Sequence, residues 1–292
     1  MIHLLLLACV AEPEILDSQG GGDDSGEETG LPPLPLDYSG GVCPDFSGDE
    51  VTFESLGAER TVLMLWPEEP QGAPLVYAWH WLDYSTAAHD KAEQAITYFE
   101  LSKLTDQGYI VVVPTSHEDQ LLEWGYFQDA DDSLDLALFD DTLSCLNEQY
   151  GIDRKRVYST GFSAGALFTT RLGMKRSQYL AAIAPMSGGT EPFQPYLTPE
   201  QDIAVMATWG GPQDLFSGLS FEEATLELAE KASADGSFVA LCEHQGGHDL
   251  PSVRIDHVRD FFAAHTYGEP SPWADGLPSD LWSGCFLPEA GE

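Results

Sequence analysis

Twelve residues, Arg156 to Leu167, read "RVYSTGFSAGAL", and one serine stands in them between two glycines. Gly161, Ser163 and Gly165 form a G-x-S-x-G pattern that follows a β-branched and aromatic run and precedes helix formers. That is the layout of a strained strand-to-helix turn that lifts a serine hydroxyl above the end of a sheet. Residues two before and two after such a serine lie against neighbouring backbone and must be small. The helix that follows aims its positive N-terminus at the reacting centre, which favours developing negative charge. The chemistry implied is nucleophilic attack on a carbonyl.

A serine nucleophile needs a base and a group that orients the base, here in the chain order serine, acid, histidine. Downstream, "EHQGGHDLPS" is a loop in which two glycines turn the chain sharply to present a side chain, and His248 at its far end is the base. His244 and His248 do not form a metal pair, because the glycines between them break helical spacing and no third ligand accompanies them. No metal and no cofactor is expected. His257 and His265 fall within a terminal helical pattern and read as packing residues. For the acid, "IAVMATWGGPQDLF" leaves a strand through Gly-Gly-Pro and reaches Asp214. Asp202 precedes the same strand and belongs to the other end of the sheet. An oxyanion site requires two N–H donors about 3 Å from the developing charge. One is Ala164; the other belongs to the loop after "PLVYAWHW", from Leu82 or Trp81. Trp81, Trp124 and Trp209, with Tyr126 and Phe127, are candidates to line a substrate pocket, core packing being the equal alternative for each.

Elements that could hold these groups alternate along the chain. "VTFESL" and "RTVLMLWP" pair through a glycine turn, and "PLVYAWHW" and "YIVVVPT" are buried strands. Residues 87–106 read as one helix, and Ser220 with Glu223 forms a capping box for another. Strands alternating with helices of 10–20 residues imply an α/β domain with a mostly parallel central sheet and helices on both faces. The first two strands would give it an antiparallel edge.

The 292 residues carry 12 basic and 49 acidic side chains, a net charge of −37. That field excludes nucleic acid and an anionic membrane face as partners and suits solubility in salty surroundings. Residues 1–9 read as a signal peptide whose "LLAC" resembles the lipobox of bacterial lipoproteins, with Cys9 lipidated as the one route to a membrane. Residues 10–41 are an acidic Gly/Pro-rich tether, 42–292 the folded domain, and 268–292 a C-terminal tail. Cys43, Cys145, Cys242 and Cys285 imply two disulfides in an exported chain, with Cys43–Cys285 favoured because it would staple the domain's two ends.

From about residue 50 to 265 the motifs "LVYAWHW", "GYIVVVPT", "EWGYF", "DDTLSCLNEQYGIDRKRVYSTGFSAGALFTTRL", "YLAAIAPMSGG", "TWGGPQD" and "EHQGGHDLP" occur in one order. In this the chain resembles extracellular esterases of the polyhydroxybutyrate-depolymerase and feruloyl-esterase type. The resemblance implies an α/β-hydrolase fold and an acyl-enzyme mechanism through Ser163, Asp214 and His248. It also implies carboxylic esters of feruloyl, acetyl-carbohydrate or hydroxyalkanoate type as substrates. Members of that group usually have His-Gly where this chain has His80-Trp81, which implies an altered oxyanion loop and a narrower acyl pocket. The other classes open to such a scaffold are a surface-anchored binding protein without turnover and a serine peptidase.

Overall fold

The computed structural model describes residues 30–118, 122–127 and 133–288. The chain opens with β1 (Glu50–Ser55) and β2 (Ala58–Leu65), an antiparallel pair turned at Leu56 and Gly57, both at positive φ. Then come β3 (Leu75–Trp79), α1 (Ala88–Tyr98), α2 (Ser102–Thr105), β4 (Ile110–Pro114) and α3 (Leu134–Tyr150). The second half runs β5 (Val157–Phe162), α4 (Ala164–Lys175), β6 (Ala182–Met186) and β7 (Ala204–Trp209). A short hairpin of β8 (Leu215–Phe216) and β9 (Leu219–Ser220) follows, then α5 (Phe221–Ala234), β10 (Val239–Glu243), α6 (Asp256–Ala264) and β11 (Cys285–Phe286).

Nine strands form one sheet in the order β1-β2-β4-β3-β5-β6-β7-β10-β11. The run from β4 to β10 is parallel, as continuous apolar strands buried on both faces require. Alternate residues of β3 divide the core: Leu75, Tyr77 and Trp79 pack with α3, α4 and α5, whereas Val76 and Ala78 pack with α1, α2 and α6. The α/β-hydrolase arrangement expected from the sequence is therefore present. It has a second antiparallel edge that the sequence did not reveal, because the tail returns as β11 against β10.

Two local readings change. The helix expected over 87–106 breaks into α1 and α2 at Glu100, whose φ is +59°, and the break lets Phe99, Leu101 and Leu104 all reach the core. The disulfides are Cys43–Cys145 and Cys242–Cys285, not Cys43–Cys285. The reason is topological. Cys43 lies just before β1 and Cys285 lies in β11, at opposite edges of a nine-stranded sheet, and eight inter-strand gaps of about 4.8 Å separate those edges by roughly 38 Å. Cys242 and Cys285 instead face one another across the β10–β11 ladder.

Residues 1–29, including Cys9 and most of the expected tether, lie outside the described residues. Residues 30–41 run along the domain. Arg154 Nη1 donates to Pro32 O (2.8 Å), and Ser39 gives its N–H and its hydroxyl to the Asp141 carboxylate at 2.7 Å each. Among the described residues no helix is long and apolar enough to cross a membrane.

Candidate active site

The parallel strands end together, and the loops that leave β3, β5, β7 and β10 converge there. Ser163 caps α4 with φ +57° and ψ −119°, a strained backbone for a residue with a side chain. Its flanking glycines have a steric explanation. A Cβ on Gly165 would lie 2.6 Å from His80 O, and one on Gly161 would lie 2.8 Å from Trp79 O. The turn is thus pressed directly against the backbone that leaves β3.

The structure brings Ser163, His248 and Asp214 into one hydrogen-bonded line. Ser163 Oγ is 2.9 Å from His248 Nε2, and His248 Nδ1 is 2.7 Å from Asp214 Oδ1. Asp214 is fully buried, and its Oδ2 accepts from Gly210 N–H (2.8 Å) and from Ser187 Oγ (2.7 Å). With both carboxylate oxygens engaged, only one orientation toward the imidazole remains. The imidazole plane is fixed as well. It stacks between Phe221 (ring centroids 4.6 Å, interplanar 9°) and Phe162 (5.0 Å, 27°). Aromatic faces on both sides remove the ring's freedom to swing away from Ser163.

The two glycine pairs noted in the sequence meet one another. Gly247 N–H donates to Gly210 O at 2.9 Å, and a Cβ on Gly210 would lie 2.5 Å from the Gly247 carbonyl carbon. The loop that carries Asp214 and the loop that carries His248 are in backbone contact, a closeness only glycine allows.

On the far side of Ser163, Ala164 carries the first N–H of α4, which has no intrahelical acceptor. The loop after β3 is held by His80, which is buried. Its Nδ1 donates to Trp81 O (2.9 Å) while its Nε2 accepts from Ser116 N–H (3.3 Å). Burial lowers the His80 pKa to about 4, so the ring is neutral and this tautomer is consistent with both contacts. In a trans peptide the carbonyl and the next N–H point opposite ways, so holding Trp81 O also sets the direction of Leu82 N–H. A buried ion pair braces the same loop: Lys91 Nζ is 2.5 Å from Glu123 Oε1 and donates to Asp83 O (3.2 Å), and Ser116 Oγ donates to Glu123 Oε2 (2.5 Å).

An apolar cavity of about 210 Å³ opens onto Ser163, with His248, Ala164 and Leu82 in its wall. Of the three tryptophans expected to bind substrate, Trp81 lines this cavity and also packs against Tyr98 and Phe162. The other two do not line it. Trp124 is fully buried, edge-on to Trp79, with its indole N–H given to His80 O (2.8 Å). Trp209 is the last residue of β7 and points into the core below. An aromatic at a strand end has two faces to choose from, and composition does not reveal which. His244 is also separate from the triad line: its Nδ1 accepts from Gly246 N–H (3.2 Å). His257 lies within α6 and His265 caps its C-terminus, and both are buried.

Sequence reasoning passed over Ser187, Phe162 and Phe221. The signals existed in part, since Ser187 opens the "SGG" after β6 and Phe162 sits inside the elbow itself. Phe221 carried none, because its contact with His248 depends on the β8–β9 hairpin folding back.

No family model matches this chain. It is similar to the bifunctional acetylxylan esterase/xylanase XynS20E of Neocallimastix patriciarum, at 28% identity over 45% of this chain and 18% of that protein. It is also similar to the oxidized polyvinyl alcohol hydrolase of Sphingopyxis sp. (strain 113P3), at 27% identity over 45% of this chain and 46% of that protein. The matches thus span less than half the length of either curated relative. Among solved structures, native sOPH superposes with a TM-score of 0.70 over 85% of this chain and 96% of its own, at 20% identity. At that identity the common property is the path of the backbone, and on that ground, together with the sheet order and the elbow, the chain has the α/β-hydrolase fold.

Proposed function

We propose that the protein is a serine carboxylesterase. The observation that carries this reading is the continuous line Ser163–His248–Asp214 beneath an apolar cavity. Ser163 Oγ attacks the ester carbonyl carbon while His248 Nε2 takes its proton. Asp214 holds the Nδ1–H tautomer and favours the imidazolium that forms. The carbonyl oxygen becomes an oxyanion that accepts from Ala164 N–H and Leu82 N–H. The tetrahedral species collapses, His248 returns the proton to the departing alkoxide, and the acyl group stays on Ser163. Water then enters, gives a proton to His248, and the same steps in reverse release the acid.

The sequence resemblance implies esters of feruloyl, acetyl-carbohydrate or hydroxyalkanoate type, and the acyl-group series described below decides between those types and plain aliphatic esters; export is also part of this proposal. Two disulfides suit an oxidising compartment, and a lipid on Cys9 would hold the exported chain at a membrane. An intact mass of the exported protein tests the latter: an unmodified N-terminus beyond residue 9 refutes it.

For the activity, a fluorophosphonate probe should label the folded protein, and Ser163→Ala should abolish both labelling and ester hydrolysis. Labelling that survives this substitution would overturn the assignment. Peptide amides cleaved as fast as esters would replace the esterase with a peptidase.

A further inference from the structure

The cavity over Ser163 has a floor and a mouth. Leu167, Phe193 and Phe221 line it while being 2%, 6% and 1% exposed, so they form its enclosed end. Phe127, Phe216 and Leu219 line it while being 51%, 41% and 40% exposed, so they form its rim. Phe216 and Leu219 belong to the β8–β9 hairpin, whose turn at Ser217 and Gly218 has positive φ at both residues. This hairpin leaves directly from Asp214 and delivers Phe221 onto His248. The same short insertion therefore completes the stacking of the base and builds one wall of the cavity.

The lining chemistry is narrow. Among the described residues, and apart from Ser163 and His248, the lining side chains offer only the Trp81 indole N–H and the Tyr126 hydroxyl as polar ends. No Asp, Glu, Lys or Arg is among the described lining residues. A sugar or hydroxyacyl group buried there would leave hydroxyls short of partners, at the cost of burying an unsatisfied polar group. A plain hydrocarbon chain has no such cost.

Which half of the ester occupies the enclosed end follows from the order of events. The alcohol must leave and water must enter before the acyl group is released, so the alcohol belongs on the open side. The group that stays bound to Ser163 is the one that suits an enclosed space. An apolar cavity of about 150 Å³ takes up a benzene of six carbons, so one of about 210 Å³ has room for roughly six to eight chain carbons.

Resting on the esterase reading, we propose that the cavity is an acyl pocket selective for unsubstituted aliphatic acyl chains of about six to eight carbons. The choice is made by Phe193 at the floor and by the β8–β9 hairpin at the rim. Hydroxylated and sugar-linked acids are disfavoured on the acyl side.

The test uses the whole chain and one alcohol, p-nitrophenol, with acetyl, butyryl, hexanoyl, octanoyl, decanoyl and 3-hydroxybutyryl esters. Burying each methylene is worth about 0.8 kcal/mol, so kcat/KM should rise about fourfold per methylene up to six to eight carbons and then level. The 3-hydroxybutyryl ester should fall about tenfold or more below the butyryl ester. Phe193→Leu should move the plateau toward longer chains, with Phe193→Ala doing so more strongly. Leu219→Ser should flatten the upper part of the profile. A purely structural effect would scale every ester alike and leave the profile shape intact.

A profile highest at acetyl, or equal rates for the 3-hydroxybutyryl and butyryl esters, would overturn the acyl-pocket proposal while leaving the esterase intact. Failure of the fluorophosphonate to label Ser163, with no ester turned over, would overturn both.

Discussion

Replacing Gly210 by alanine tests whether backbone contact between two loops positions the triad. The added Cβ would sit 2.5 Å from the Gly247 carbonyl carbon, whereas ordinary contact begins near 3.4 Å. The Gly247 carbonyl oxygen is nearer still, so relief demands that the Asp214 loop and the His248 loop separate by at least about 1 Å. Gly210 N–H also holds Asp214 Oδ2, and Asp214 Oδ1 holds His248 Nδ1 at 2.7 Å, so the separation falls on the acid–base bond. A displacement of that size lengthens the bond past useful range, and misplacing a reacting group by 1 Å costs about 100-fold. Removing the acid's function altogether, as in Asp214→Asn, should cost more, on the order of 10⁴-fold by analogy with the serine protease triad. We therefore expect Gly210→Ala to lower kcat about 100-fold with KM little changed. The assay is p-nitrophenyl ester hydrolysis, paired with a thermal melt and far-UV circular dichroism to show that the variant is folded. A folded variant within threefold of the parent would refute the reasoning. It would mean that the loops can part without moving the imidazole.

Two further expectations concern stability. Lys91→Met leaves the buried Glu123 carboxylate without its cation and should destabilise by about 3–5 kcal/mol, while adding Glu123→Gln should recover most of that; urea midpoints of the single and double variants decide it. A double variant no more stable than the single would sink the idea. Burial lowers the pKa of His80 and of His257 to about 4, against about 6.5 in the unfolded chain. Between those values the unfolded state binds protons that the folded state does not, so stability is full above pH 6.5 and falls as pH drops toward 4, by roughly 3 kcal/mol per histidine. Denaturant titrations at pH 7, 5.5 and 4 should show this slope, and His257→Gln should reduce it; an unchanged slope would place the proton uptake elsewhere.

The local sequence specified much of this protein because its signals are local. A glycine two residues on either side of Ser163 reports a turn pressed against neighbouring backbone, and the structure identifies that backbone as Trp79 and His80. Continuous apolar runs such as "YIVVVP" report strands buried on both faces, and Ser220 three residues before Glu223 reports a helix start, where the Ser220 side chain accepts from Glu223 N–H. Chain order and position just after a strand pointed to Asp214 and His248, and the structure places them within hydrogen-bond reach of one another and of Ser163, because loops leaving parallel strands all emerge at one end of the sheet. Pairings between distant segments were not legible. Cys43 and Cys285 are near the two ends of the domain in sequence and at opposite edges of its sheet in space, so the disulfide expected between them gives way to two others. Trp124 and Trp209 have the composition of a binding site, but the face each presents was settled by packing, and both went into the core. The partners that hold the His248 ring, Ser187 through Asp214 and the rings of Phe162 and Phe221, come from three separate strand ends. Their contact exists only once the sheet is assembled, because a side chain's neighbours across a parallel sheet depend on strand order, and strand order is fixed by the burial of the whole core rather than by any one segment.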